Sequence, residues 1–149
     1  MKKVVISLGG SILIPTLEDH MLKEYVPVLK KIAQQHHLFV VVGGGGEARR
    51  YIGIMRDLGI DEGTSDEVGI LITRLNATML IAALGDNAYP KVAESHAEAK
   101  KFAESGKIVV MGGITPGQTA SLRFGERSPA KTVLLKPSGT SRNLTLLSR

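Results

Sequence analysis

Three short apolar runs in this chain each end in glycine, and that repetition limits the possible folds more than any other feature. Lys3–Leu8 (KVVISL) runs into Gly9-Gly10-Ser11, Leu38–Val42 (LFVVV) into Gly43–Gly46, and Lys107–Met111 (KIVVM) into Gly112-Gly113. Brief β-branched runs of this kind read as buried strands. Helical spacing fills the gaps: Leu17, Met21, Leu22, Tyr25, Leu29, Ile32 and Ala33 form one series, and Ile70, Leu71, Leu75, Leu80, Ala83 and Leu84 another. Strands alternating with helices predict an α/β fold, a mostly parallel sheet sandwiched by helices. Ligands on such sheets bind outside the carboxyl ends of the strands, which is where all three glycine turns fall.

Local signals place the helices. Thr16 before Leu17-Glu18-Asp19 resembles a capping box and predicts a helix start, and Pro27 predicts a kink or a restart within it. A helix is expected from Glu47 to about Leu58, and another over Ala93–Glu104. Ser65-Asp66-Glu67 reads as an N-cap with acids in the first turn.

A backbone that wraps a phosphate must bring several N–H groups to one point, which favours glycine, and a following helix adds its own free N–H groups. Gly9-Gly10-Ser11 and Gly43–Gly46 both have this form. Neither matches the G-x-x-x-x-G-K-[ST] of a P-loop or a G-x-G-x-x-G dinucleotide turn followed by an acid about 20 residues on. Thr115, Gln118 and Thr119, in the turn after Gly113, are candidates for a base edge or a phosphate. Arg49 is placed to clamp phosphate oxygens bidentately, whereas Arg50 reads as a solvated face. Asp66 is either a helix cap or a sugar-hydroxyl ligand. Arg74, inside an apolar helix, reads as snorkelling to the surface. His20, His36, His37 and His96 have no metal-ligand spacing and read as surface residues.

The net charge of +5 is confined to one end. Residues 1–120 hold 13 Lys/Arg and 13 Asp/Glu, while residues 121–149 hold six Lys/Arg against Glu126 alone. A neutral body with a basic tail does not point to a nucleic-acid partner. The absence of cysteine removes disulfides, thiolate metal sites and a Cys nucleophile. No apolar run is expected to reach the roughly 20 residues of a membrane span, and the first 15 residues read as a core strand rather than a signal peptide. A cytoplasmic protein is expected.

Taken in order, SLGGSIL, VVVGGGGEARRYI, SDEVGILITRLNATMLIAAL, AYPKV and IVVMGGITPGQT resemble the amino-acid-kinase superfamily and, within it, the archaeal uridylate (UMP) kinases. The resemblance runs from about Lys3 to Thr119. It implies transfer of the γ-phosphoryl of Mg·ATP to UMP, giving ADP and UDP in pyrimidine nucleotide biosynthesis, with Mg²⁺ entering with ATP. It also implies ATP contacts at Gly10, Ser11, Gly45 and Arg49, with Gly10, Ser11 and Arg49 nearest the chemistry. UMP contacts are implied at Gly44, Asp66 and the run Ile114, Thr115, Pro116, Gly117, Gln118, Thr119 and Ala120. A homo-oligomer is implied, a hexamer in the family, with subunit contacts around the Asp66–Leu84 region. Ser7 stands where the bacterial relatives carry a lysine, which the archaeal branch also lacks.

After Thr119 the resemblance ends. Residues 1–120 are therefore expected to be the UMP-binding half of such a domain, and residues 121–149 a non-matching tail, frameshifted, replaced or disordered, with Thr132–Leu135 a candidate strand. The alternative is a catalytically impaired nucleotide-binding fragment lacking the ATP-binding half. A superfamily kinase acting on a carboxylate or carbamate is a third reading, which ITRLNATMLIAAL and TPGQT disfavour. A sheet without its later strands would expose an edge and associate aberrantly.

Overall fold

The computed structural model describes residues 2–114 in full and residues 131–137 and 144–148 as strands. The elements run β1 (Lys2–Leu8), α1 (Gly10–Leu13), α2 (Leu22–Ala33), β2 (His36–Val42), α3 (Gly45–Asp57), α4 (Glu62–Leu84), a 3-10 turn (Gly85–Asn87), α5 (His96–Ala103), β3 (Val109–Met111), β4 (Lys131–Pro137) and β5 (Leu144–Ser148). They form one five-stranded sheet in the order β3-β2-β1-β4-β5. All neighbours are parallel except β4 and β5. The α/β class and the three glycine-terminated strands thus stand as read. β4 spans the expected Thr132–Leu135 strand and pairs with β1.

Alternation along the strands builds two cores, because successive side chains leave a strand on opposite faces. Ile6, Leu8, Leu38, Val40, Val42 and Val110 face α2 and α4, where Leu29, Ala77, Leu80 and Leu84 meet them. Val5, Phe39, Val41, Val109 and Met111 face α5, through Ala99 and Phe102. Phe102 stacks on Tyr89 with ring centroids 4.0 Å apart.

Several local expectations are corrected. Thr16 does not start a helix: its Oγ1 accepts from the Asp19 N–H at 3.1 Å and closes a bend, and α2 begins at Leu22. No restart occurs at Pro27, since α2 runs through it. Lying in the second turn, it forfeits only one bond to the first turn. Helix α5 begins at His96, capped by Ser95, whose Oγ accepts from the Glu98 N–H at 3.1 Å. Ala93 is instead bridged to Met111.

Ser65-Asp66-Glu67 is not an N-cap. Asp61 caps α4 four residues earlier, accepting from the Thr64 N–H at 2.8 Å and the Thr64 hydroxyl at 2.9 Å. These bonds hold the Asp61 carboxyl below its ordinary range, and hydrogen bonding from Arg56 does the same for Glu62. Carboxylates with lowered folded-state pKa values contribute stability that is complete above the unfolded-state value and is lost as pH falls through the folded one. Thermal melts from pH 6 to pH 2 are therefore expected to show a steeper acid decline in the natural chain than in Asp61→Asn, which keeps a capping oxygen but does not titrate. Parallel curves would contradict this.

The stretch Glu62–Asn87, with a mean hydropathy of 1.7 over its most apolar window, is long and apolar enough to cross a membrane by length and composition, contrary to expectation. Here α4 lays one face on the sheet and leaves the other exposed. Ala77, Leu80, Ile81 and Leu84 pack on the sheet side, and Asp66, Glu67 and Arg74 interrupt the sequence.

Candidate active site: glycine loops over helix α4

Strand register brings the three glycine turns to one edge. Leu8 pairs with Val42 and Val41 with Met111, so Gly9, Gly43 and Gly112 leave the sheet side by side. The first two turns press backbone to backbone. A Cβ on Gly10 would stand 2.5 Å from the Gly43 oxygen and the Gly44 carbonyl carbon. Gly45, with φ +67°, lies in the left-handed region, and a Cβ there would stand 2.6 Å from the Gly10 carbonyl carbon. Side chains are excluded on both sides, which leaves main-chain groups as the lining.

Arg49, in the second turn of α3, donates from Nη2 to Ser11 Oγ at 3.0 Å. Gly10, Ser11, Gly45 and Arg49, taken from the sequence as one set, thus form one cluster of N–H, hydroxyl and guanidinium donors. Such a set fits phosphate oxygens. Arg50 is exposed and pairs with Glu47 at 3.4 Å, a solvated face as read.

The second set gathers along α4. A Cβ on Gly44 would stand 3.6 Å from Thr73 Cγ2 and 3.7 Å from the Gly69 oxygen, and one on Gly113 3.3 Å from Ile70 Cγ1. Asp66, half-buried, shares this helix face by its spacing of three, four and seven residues from Gly69, Ile70 and Thr73. With Asp61 serving as the cap, the capping explanation of Asp66 falls away. Ile114 is partly buried against the α5-side core. Thr115, Pro116, Gly117, Gln118, Thr119 and Ala120 lie outside the described residues.

Two further residues at the site lie in the ITRLNATMLIAAL segment but were given no role from the sequence. Thr73 and Asn76 are buried at 5% and 7% exposure. The Asn76 amide donates to the Gly43 and Gly44 carbonyls at 3.0 and 3.3 Å, and Thr73 Oγ1 accepts from the Gly113 N–H at 2.6 Å. The signal that could have found them is a polar pair at i, i+3 on an otherwise apolar helix face.

Arg74 does not snorkel freely. Its Cγ would meet a Cβ on Gly112 at 2.9 Å, its Nε is buried without a partner among the described residues, and Nη1 lies 3.6 Å from Glu94. Among the histidines, His36 and His37 are half-buried at the start of β2 rather than on the surface. No group of three or more His, Asp or Glu side chains among the described residues could hold a metal ion.

A sheet whose glycine turns converge over a helix, with a hydroxyl and a guanidinium at the rim, defines an α/β domain with a donor cluster of the kind that fits phosphate oxygens. The amino acid kinase family model matches residues 2–126, and the chain belongs to that family. Relatives include a uridylate kinase of Methanoregula boonei, 76% identical over 119 residues covering 80% of this chain and 51% of the relative. A uridylate kinase of Methanoculleus marisnigri is 66% identical over the same shares. The crystal structure of uridylate kinase from Archaeoglobus fulgidus superposes with a TM-score of 0.72 at 44% identity, covering 80% of this chain and 53% of that one. A Bacillus anthracis UMP kinase, TM-score 0.63 at 23% identity, shares the fold. The chain spans about half the length of the curated relatives it matches.

Proposed function

We propose that this chain is the UMP-binding part of a uridylate kinase, which moves the γ-phosphoryl of ATP to UMP in pyrimidine nucleotide biosynthesis. The observation that carries the reading is the clustering of Gly10, Ser11, Gly45 and Arg49 at one rim, with Gly44 and Gly113 against α4, the helix that bears Asp66, behind it. The high identity to archaeal uridylate kinases supports it. In this reading the first set faces the ATP phosphates, and Asp66 accepts from the UMP ribose. The segment Ile114–Ala120 wraps UMP. None of the clustered groups has a general base's role: the work is alignment and neutralisation of phosphoryl charge by N–H groups and Arg49. Mg²⁺, arriving with ATP, supplies further neutralisation. A cytoplasmic location and the division into residues 1–120 and a tail of 121–149 belong to the same proposal. Sequencing the coding DNA tests the tail: a frame that restores the family pattern after Thr119 supports a frameshift.

The alternative is a fragment that binds UMP and does not turn over, and the half-length coverage of the relatives favours keeping it. Calorimetric titration of UMP and ATP separately, beside a coupled assay of ADP release, separates the two. UMP binding with turnover supports the kinase. UMP binding alone supports the fragment, and no UMP binding contradicts both.

A homo-oligomer is part of the proposal. Leu71, Leu75 and Met79 stand one turn apart on α4, exposed by 61%, 60% and 39%, and Tyr51, Ile54 and Leu58 are exposed on the adjoining α3. Contiguous apolar surface of this kind marks interaction sites. Leu71→Glu with Leu75→Glu is expected to lower the mass measured by light scattering by at least about half, since each buried leucine contributes about 2 kcal/mol per copy. An unchanged mass would place the contact elsewhere.

A further inference from the structure

Helix α4 carries three buried polar side chains, and whereas Ser65 is satisfied by the Asp61 carbonyl of its own helix start, Thr73 and Asn76 reach out to other segments. Buried polar groups are tolerated when they are hydrogen-bonded, and the partners here are the glycine turns. Both neighbours of the Asn76 amide are carbonyl oxygens, so its nitrogen must be the atom that faces them. The described peptides are trans, and in a trans peptide the C=O and the following N–H point in opposite directions. Drawing the Gly43 and Gly44 carbonyls down to α4 therefore turns the N–H groups of Gly44 and Gly45 away from it. The Gly45 nitrogen and the Gly43 oxygen both stand where a Cβ on Gly10 would be, so the first two turns meet at that point.

Thr73 works on the other turn. Its hydroxyl proton is committed to the Ile70 carbonyl at 2.6 Å, so Oγ1 can only accept, and it accepts from the Gly113 N–H at 2.6 Å. The fit is close: a Cβ on Gly112 would stand 2.8 Å from Thr73 Oγ1 and 3.0 Å from the Arg74 nitrogen. One side chain thus sets the plane of the peptide through which the chain leaves β3 towards Ile114.

We infer that Thr73 and Asn76 are positioning residues with separate duties. Asn76 aims the main-chain donors of the central turn, on which both nucleotides depend. Thr73 fixes the exit from β3, on which UMP alone depends. The division rests on the uridylate kinase reading above, and the geometry of the two anchors does not.

The test compares Thr73→Val, Thr73→Ser and Asn76→Asp in the full chain. Valine keeps the shape of threonine and removes the acceptor, serine restores the acceptor, and aspartate offers only oxygen to two carbonyl oxygens. The readouts are calorimetric Kd values for UMP and for ATP, and hydrogen exchange of the Gly113 amide without ligand. T73V is expected to weaken UMP about tenfold and ATP less than about twofold, with T73S close to the natural chain. N76D is expected to weaken both nucleotides by about tenfold or more. Gly113 should exchange faster in T73V than in the natural chain while the melting curve stays cooperative. Equal loss of both ligands in T73V, or no loss, overturns the division. Should the natural chain bind no UMP, the kinase reading fails on its own, and the exchange of Gly113 still decides the anchor: faster exchange upholds it and unchanged exchange overturns it. If N76D fails to fold, T73V and T73S still decide the division by the same two Kd values.

Discussion

Gly10→Ala is expected to abolish high-affinity nucleotide binding and to lower stability by about 3 kcal/mol, the upper end of the usual cost of overpacking. The added methyl would enter space already occupied by the Gly43 oxygen and the Gly44 carbonyl carbon, each 2.5 Å away. A side chain in that position could rotate aside, but backbone cannot. The Gly43 and Gly44 carbonyls are held from beneath by Asn76, so the central turn can yield only by breaking those bonds. A shift of about 1 Å in groups that align a phosphoryl transfer costs about 100-fold. Calorimetry with ATP and UMP, beside a chemical denaturation curve, checks both parts. Gly53→Ala is the control, since a Cβ there meets nothing within 4 Å. Equal behaviour of the two variants would mean that the turns are not in contact.

Arg49→Met has the second large effect, and it falls on one ligand. Arg49 is joined to Ser11 across 38 residues of sequence by the 3.0 Å bond from Nη2. Methionine keeps a comparable stem and removes the charged fork. A charge-assisted bond to phosphate is worth about 1.5–3 kcal/mol, so the KM for ATP is expected to rise by roughly 10- to 100-fold. UMP affinity should change less than about twofold. Arg49→Lys should recover part of the loss, because it restores the charge without the bidentate geometry. A rise in the UMP constant of the same size would reassign Arg49 to the other substrate.

The sheet was legible because its strands are short β-branched runs whose boundaries are glycines. Val40, Val110 and Ile6 could hardly be anything but core, and each has an exposure of 0%. Helix starts were less legible, because capping chemistry is local and recurs wherever Ser, Thr or Asp precedes an acid. Thr16 and Ser65 both fit the pattern, yet Thr16 closes a bend and Ser65 is buried inside α4, its hydroxyl donating to the Asp61 carbonyl at 3.0 Å. Pro27 misleads because its cost depends on its distance from the helix start, and α2 starts later than Thr16 suggests.

The site was legible in its glycines and in Arg49, whose residue types state their chemistry. It was not legible in Thr73 and Asn76. A polar residue in an apolar helix reads as surface until its partner is known, and the partners lie 32 to 40 residues away. Asp66 was ambiguous for the same reason. Only the identity of the true cap, Asp61, removes one of its two explanations.

All of this depends on main-chain N–H groups at the strand ends being the nucleotide's binding surface. Amide chemical-shift mapping of the full chain during separate additions of UMP and ATP tests that directly. The amides of Gly10, Ser11 and Gly45 should move with ATP, those of Gly44 and Ile114 with UMP, and the opposite ends of the strands, at Lys3 and His37, with neither. Shifts centred on Lys3 and His37, with the glycine amides silent, would contradict the account.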